Sequence, residues 1–151
     1  MATGISHSRF LPYSERRMSL NLTAFTNAIA RLQEGLALHA AAPTETIIRD
    51  GLIQRFEFTY ELSHKMLKRA LESASPSPDQ YDQMPFADLI RSGNEQGLLL
   101  GDWPAWKNYR DMRAKTSHTY NEAIALEVVQ GIAKFLHEAA FLRDQLRQRA
   151  P

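Results

Sequence analysis

The apolar residues of this chain recur at steps of three and four through several long stretches, and nowhere over a useful length do they alternate with the period of a half-buried strand. That spacing gathers each stretch's apolar side chains on one face of a helix, so the chain must bury its stripes helix against helix. Leu22, Phe25, Ile29, Leu32 and Leu36 predict a first helix that stops near Ala42-Pro43. A longer one, capped by Thr44 or Thr46 and running to about Ser73, carries Ile48, Leu52, Phe56, Thr59, Ser63, Met66 and Ala70 along one side. Beside them lie Ile53, Glu57, Tyr60, His64, Leu67 and Leu71, and so wide an apolar arc marks the central helix of a bundle.

Ser75-Pro-Ser-Pro-Asp reads as an extended linker, because each proline denies helical geometry to the residue before it. Phe86, Leu89 and Ile90 predict a shorter helix, weakened by Gly93 and Gly97 and finished by Gly101. Asp102 is placed to cap the next, with Pro104 in its first turn and Trp106, Tyr109 and Met112 facing the core. The last helix, roughly 120 to 148, buries Ile124, Val128, Ile132, Phe135, Ala139, Leu142 and Leu146. The expected fold class is all-α, a bundle of four main helices with one additional short helix.

At 151 residues the chain is about one ordinary domain. Residues 1 to 17, with Gly4, Ser6, Ser8, Pro12 and Ser14, show no amphipathic period and read as a flexible N-terminal arm, with Met18 as an alternative start. The helical domain then spans 18 to 151. The absence of cysteine excludes disulfides, thiol nucleophiles and sulfur-bound zinc, and fits a reducing compartment. No stretch approaches the ~18 uninterrupted apolar residues of a membrane span, and no signal-peptide core opens the chain, so a cytoplasmic protein is expected. Eighteen basic and 17 acidic side chains leave a net charge of +1, too little for a broad field that coats nucleic acid. Any phosphate binding must be local.

Such a locality exists in Arg113-Ala-Lys-Thr-Ser-His118-Thr-Tyr120. Positions five apart lie roughly 140° apart on a helix, so Arg113 and His118 share a side only if the helix bends between them. Thr119-Tyr-Asn-Glu122 has the form of a capping box, which would put His118 just outside a helix N-terminus where anions are favoured. Metal-free RNA cleavage needs a base for the 2′-hydroxyl, an acid for the leaving oxygen and a cation on the phosphoryl oxygens, roles that suit His118 and Arg113. A symmetric dimer would supply a second imidazole. The structural alternative is an arginine at a helix C-terminus and a histidine bonded locally in a turn. Tyr120 is either a phenol that accepts a nucleotidyl group or a ring packed at the bundle edge.

Lys115, inside the same segment with Ser117, is the basic residue best placed to touch phosphate. Trp103, Trp106 and Tyr109 are core residues by spacing, with base stacking as the functional alternative. Glu57 and His64 interrupt an apolar stripe, so they pair with each other, reach the Arg113 junction or line a cavity. Glu61 and Lys65, four apart, are placed for a solvated ion pair. Glu57, Glu61 and His64 offer metal-ligand spacing, but too few donors to expect a metal or other cofactor.

Two segments together resemble a known family. Ile53-Gln-Arg-Phe-Glu-Phe-Thr-Tyr-Glu-Leu-Ser-His-Lys65 and Arg113-Ala-Lys-Thr-Ser-His-Thr-Tyr-Asn-Glu122 are similar to the paired signatures of the nucleotidyltransferase substrate-binding proteins, HEPN-superfamily members close to the HepT toxins. The resemblance implies an up-and-down helical bundle that forms a homodimer and associates with a minimal nucleotidyltransferase encoded nearby, with RNA or a nucleotide as ligand. It implies that Arg113 and His118 match the HEPN ribonuclease pair, and that Tyr120 holds the position modified with AMP in HepT-like members. Beside them, Lys115, Ser117, Glu57 and Glu61 are the further candidates for substrate binding. Ala114 stands where the family commonly has a polar residue after the arginine, and His64 where it commonly has tryptophan.

Overall fold

A computed structural model describes residues 20–149. The expected arm at 1 to 17 lies outside the described residues. Five α-helices follow in order: α1 Thr23–Ala41, α2 Thr46–Ser73, α3 Phe86–Glu95, α4 Trp103–Lys115 and α5 Glu122–Gln148, with no strand among the described residues. Two short 3-10 turns, Pro78–Tyr81 and Thr116–His118, interrupt the connections. The all-α expectation holds, with α3 as the added short helix.

α2 is central. It packs against α1, α3, α4 and α5, which explains why two adjacent apolar stripes were needed on one helix. The stripes meet in one cluster in which Phe25, Leu32, Phe56, Leu67, Trp106, Val128, Phe135 and Leu142 are fully buried. Phe135 of α5 is its hub. Its ring centre lies 5.2 Å from Phe56 and 5.2 Å from Tyr109, both near edge-to-face, and 6.2 Å from Trp106. Removing such a ring would cost about 3–5 kcal/mol, the sum of lost transfer energy and the cavity left behind.

Several local expectations are corrected. Neither Thr44 nor Thr46 caps α2: Glu45 is the N-cap residue and its side chain makes no capping bond. Asp102 is the N-cap residue of α4, again without a side-chain bond. Ser75-Pro-Ser-Pro-Asp is not extended throughout. The Ser75 hydroxyl accepts hydrogen bonds from the Ser77 amide and Gln80 Nε2, and the chain tightens into a 3-10 turn that buries Tyr81.

α3 ends before Gly101. Gly97 adopts φ 71°, a conformation that favours glycine, and the Leu98 amide donates to the Gly93 carbonyl while the Gly97 amide donates to Asn94. These are the two bonds of a Schellman stop. Gly93 belongs to the helix, held close to α2 and the Leu99 side chain: a Cβ there would lie 2.8 Å from Leu99 Cδ1 and 3.0 Å from Leu67 Cδ1.

Candidate functional site

The break between α4 and α5 is built by Thr116. This nearly buried residue donates its hydroxyl to the Arg113 carbonyl at 2.6 Å and accepts from Arg113 Nη1 at 3.0 Å. A hydroxyl bonded back to a carbonyl competes with the helical ladder, and the chain leaves α4 through the 3-10 turn at Thr116–His118. Thr119 does not cap α5. Its hydroxyl donates to the Thr116 carbonyl, while Asn121 is the N-cap residue, accepting from the Ile124 amide at 3.2 Å. The proposed capping box is therefore absent: Glu122, its carboxylate partner, instead bonds Arg49 Nη1 at 2.7 Å. His118 lies in the turn, three residues ahead of the N-cap, and its carbonyl accepts from the Asn121 amide.

Arg113 turns toward α2. Its Nε and Nη2 reach Glu61 Oε1 at 3.2 and 2.5 Å, and its Nη1 stands 3.7 Å from Glu57 Oε2. Glu57 thus reaches the junction, as one of its sequence alternatives anticipated. Glu61 takes Arg113 instead of the Lys65 expected from the helical spacing. Lys115 pairs with Glu127 of α5 at 3.1 Å, so its ammonium is engaged by an acid. Ser117 and His118 are exposed.

Tyr120 is 85% exposed, and its ring centre lies 6.2 Å from that of His118 with the planes inclined at 72°. The expected residues therefore fall into two groups, Arg113 with Glu57 and Glu61 on the α2/α4 seam, and His118 with Tyr120 on the turn. No hydrogen bond or ion pair between the two groups is found among the described residues. Three carboxylates or imidazoles do not gather into a metal-binding cluster among the described residues either.

Beneath the seam lies Tyr60. Burial pushes its pKa up to about 12, against the opposing charges of Arg110 and Arg113. His64 makes no hydrogen bond or ion pair with Glu57 among the described residues; it packs on Phe86 at 4.8 Å, and burial followed by the Lys68 charge lowers its pKa. Trp106 and Tyr109 are core residues, while Trp103 is only partly buried.

Two charged residues that shape the site did not stand out in the sequence. Arg49 of α2 is almost fully buried and bonds both Glu122 and Asp50, tying the start of α2 to the start of α5. Glu138 of α5 is 1% exposed and accepts from the Leu100 and Gly101 amides at 2.7 and 2.8 Å, clamping the α3–α4 connection. Burial raises its pKa, and the two amides oppose the rise. A separate groove of about 530 Å3 between α1 and α2, lined in part by Ala28, Arg31, Gly51, Arg55 and Phe58, includes none of the expected site residues.

Comparison with known proteins agrees with this architecture. A family model described as nucleotidyltransferase substrate binding protein like matches residues 20–148. A curated relative from Haemophilus influenzae, named probable ribonuclease HepT, is 48% identical over 99 residues, covering 66% of this chain and 67% of that protein. A solved structure from Haemophilus influenzae, described as the fold of a substrate-binding domain of a nucleotidyltransferase, matches with a TM-score of 0.79 at 38% identity, covering 85% of this chain and all of the other. Among the described residues no helix is long and apolar enough to cross a membrane.

Proposed function

The chain belongs to the nucleotidyltransferase substrate-binding protein family, and on that premise we propose that it is a HEPN-type, non-catalytic subunit that pairs with a separate minimal nucleotidyltransferase in a toxin–antitoxin-like system. In this reading it acts as a homodimer, and the Arg113–His118–Tyr120 segment receives a nucleotide or an RNA phosphate. The observation that carries the reading is the Tyr120 phenol, 85% exposed beside an exposed His118 on a tight turn. A phenol so placed is open to a partner's active site. In the transfer, the phenolic oxygen would form a bond to the α-phosphorus of ATP as pyrophosphate leaves, and the phenolic proton would pass to a base in the partner or to water.

The test mixes this protein with the nucleotidyltransferase encoded beside it, ATP and Mg2+, and reads the mass of this chain. Increments of AMP mass that vanish in Tyr120→Phe are expected. A mass unchanged by an active partner would sink the reading.

A second reading is favoured by the relative named probable ribonuclease HepT, and it draws on the exposed His118 imidazole and the Arg113 cation five positions before it in sequence. Here the dimer is a metal-independent endoribonuclease. One His118 takes the 2′-hydroxyl proton, the 2′-oxygen attacks phosphorus, the 5′-oxygen leaves with a proton from the second His118, and Arg113 balances phosphoryl charge. AMP on Tyr120 would block the same cleft. Two copies are needed because one imidazole cannot supply both protons' routes at once, and the second copy would complete the grouping that one chain leaves divided. RNA should be cut in EDTA and spared by His118→Ala; intact RNA at high protein concentration would refute cleavage.

A further inference from the structure

The seam between α2 and α4 continues past Arg113 into a set of side chains that neither reading uses. Trp103 and Phe86 are each partly buried, and their rings meet at 5.8 Å and 70°. Exposed Arg110 lays its guanidinium 5.0 Å from the centre of Trp103 and 5.9 Å from that of Phe86. His64 closes the far side against Phe86. Lys68 stands one turn further along α2.

Neither Arg110 nor Lys68 makes an ion pair among the described residues, a property they share with Arg31, Lys65, Arg69 and Lys134. What separates this cluster from ordinary packing is a guanidinium lying over two partly buried rings. Its place in the fold matters as much. Arg110 precedes Arg113 by three positions and so shares its face of α4 about 4.5 Å away along the axis. Both arginines act on the same Tyr60 phenol beneath them. An aromatic surface with unpaired cations, contiguous with the arginine proposed above to meet phosphate, has the chemistry of a site for single-stranded nucleic acid: the rings offer a face for a base and the cations follow the backbone.

We propose that Trp103, Phe86 and Arg110 form a stacking subsite for a base of single-stranded RNA whose phosphate is held at Arg113, with Lys68 and Arg110 meeting the neighbouring phosphates. The subsite rests on the reading that Arg113 binds RNA phosphate, and it sets how the strand runs: from the turn along the α2/α4 seam toward the start of α4. Arg110 has a double role, since the guanidinium that now covers the indole can swing to a phosphate as a base takes its place.

The two tryptophans of the chain make the test direct, because Trp106 is fully buried and Trp103 is not. The full chain is titrated with a short mixed-sequence single-stranded RNA in EDTA, with His118→Ala in every protein to prevent cutting. Tryptophan emission and RNA anisotropy are read together. RNA should quench emission, Trp103→Phe should remove the quenching, and Trp103→Ala and Arg110→Gln should each bind about tenfold more weakly. Arg110→Gln changes an exposed side chain and keeps the test valid if Trp103→Ala misfolds. Quenching that survives Trp103→Phe overturns the subsite, as does wild-type affinity in Arg110→Gln. If those variants bind normally while Arg113→Ala does not, the subsite alone fails and the Arg113 reading stands. If no protein binds RNA, the Arg113 reading fails and takes the subsite with it. Should Trp103→Ala lose only its affinity for the nucleotidyltransferase, the patch is a protein interface and the RNA proposal is overturned.

Discussion

Arg113 and Glu61 face each other across the α2/α4 seam, with Nε and Nη2 of the guanidinium converging at 3.2 and 2.5 Å on a single carboxylate oxygen. The pair spans 52 positions in sequence and brings the two family-like segments into contact. Glu61 is 57% exposed and Arg113 30%, so water screens the attraction and the pair contributes at most ~1 kcal/mol to folding. Its effect on a ligand should be larger, because an arriving phosphate must take the guanidinium from a carboxylate. Glu61→Gln is therefore expected to lower stability by no more than ~1 kcal/mol in urea unfolding while strengthening RNA or nucleotide binding severalfold. Weaker binding in this variant would show that Glu61 instead holds Arg113 in its working orientation.

Glu138 should give the fold a pH dependence opposite in sign to that of a salt-bridged carboxylate. Burial raises its pKa in the folded protein above the ordinary 4.5, despite two backbone amides that favour the anion. The folded state then holds the proton where the unfolded state has released it. The stabilisation is full below the unfolded pKa and is lost as pH rises through the folded one. Glu138→Gln removes the titration, so the variant's stability relative to the parent should climb as pH is raised from about 4 through the neutral range. A difference that stays flat across that series would refute the shift. Glu138→Ala should cost about 1–3 kcal/mol, since it leaves two partly buried amides without their acceptor.

Two helical glycines should respond in opposite directions to the same substitution. Gly51 has nothing within 4 Å of an added Cβ, so Gly51→Ala should stabilise by about 0.5–1 kcal/mol through helix propensity alone. At Gly93 the added methyl would meet Leu99 Cδ1 at 2.8 Å and Leu67 Cδ1 at 3.0 Å. Gly93→Ala should destabilise by about 1–3 kcal/mol, with side chains forced from their rotamers. Urea midpoints moving the same way in both variants would contradict the packing described for α3.

How far the sequence disclosed this arrangement follows the physics of each signal. The helices were legible because burial imposes a period, and Phe25, Ile29, Leu32, Val128, Ile132 and Phe135 are all buried as their spacing required. Helix starts were less legible. Thr119 and Asn121 both carry side chains that can cap, and the choice went to Asn121 because Thr119 was drawn back to the Thr116 carbonyl by the turn. Glu138 held a readable sign: it lies three residues after Phe135 and next to Ala139, a carboxylate on an apolar face. What it bonds lies 37 and 38 positions away in a loop, beyond any local pattern. Arg113 and Glu57 were nominated separately, and only the folding of α4 against α2 could bring them to 3.7 Å.

The connection that carries His118 and Tyr120 should depend on Arg49, a residue that touches neither. The Arg49 side chain is 10% exposed and its partner Glu122 71% exposed, so the two halves of this ion pair are unequal. Hydrogen bonding to Glu122 holds the Arg49 pKa up against the burial that would lower it. Glu122→Ala leaves the guanidinium with Asp50 alone, at 3.3 Å, and removes an acid from the first turn of α5, where it also favours the helix dipole. The start of α5 would then be untied from α2. Hydrogen exchange should quicken at the Ile124 and Ala125 amides, which bond Asn121, and leave the amides around Phe135 unchanged. The AMP addition proposed for Tyr120 should slow in the same variant, because the turn that presents the phenol has lost its anchor. Unaltered exchange at Ile124 and Ala125 would mean that the Asn121 cap alone holds the turn, and that Arg49 serves only the packing of α2.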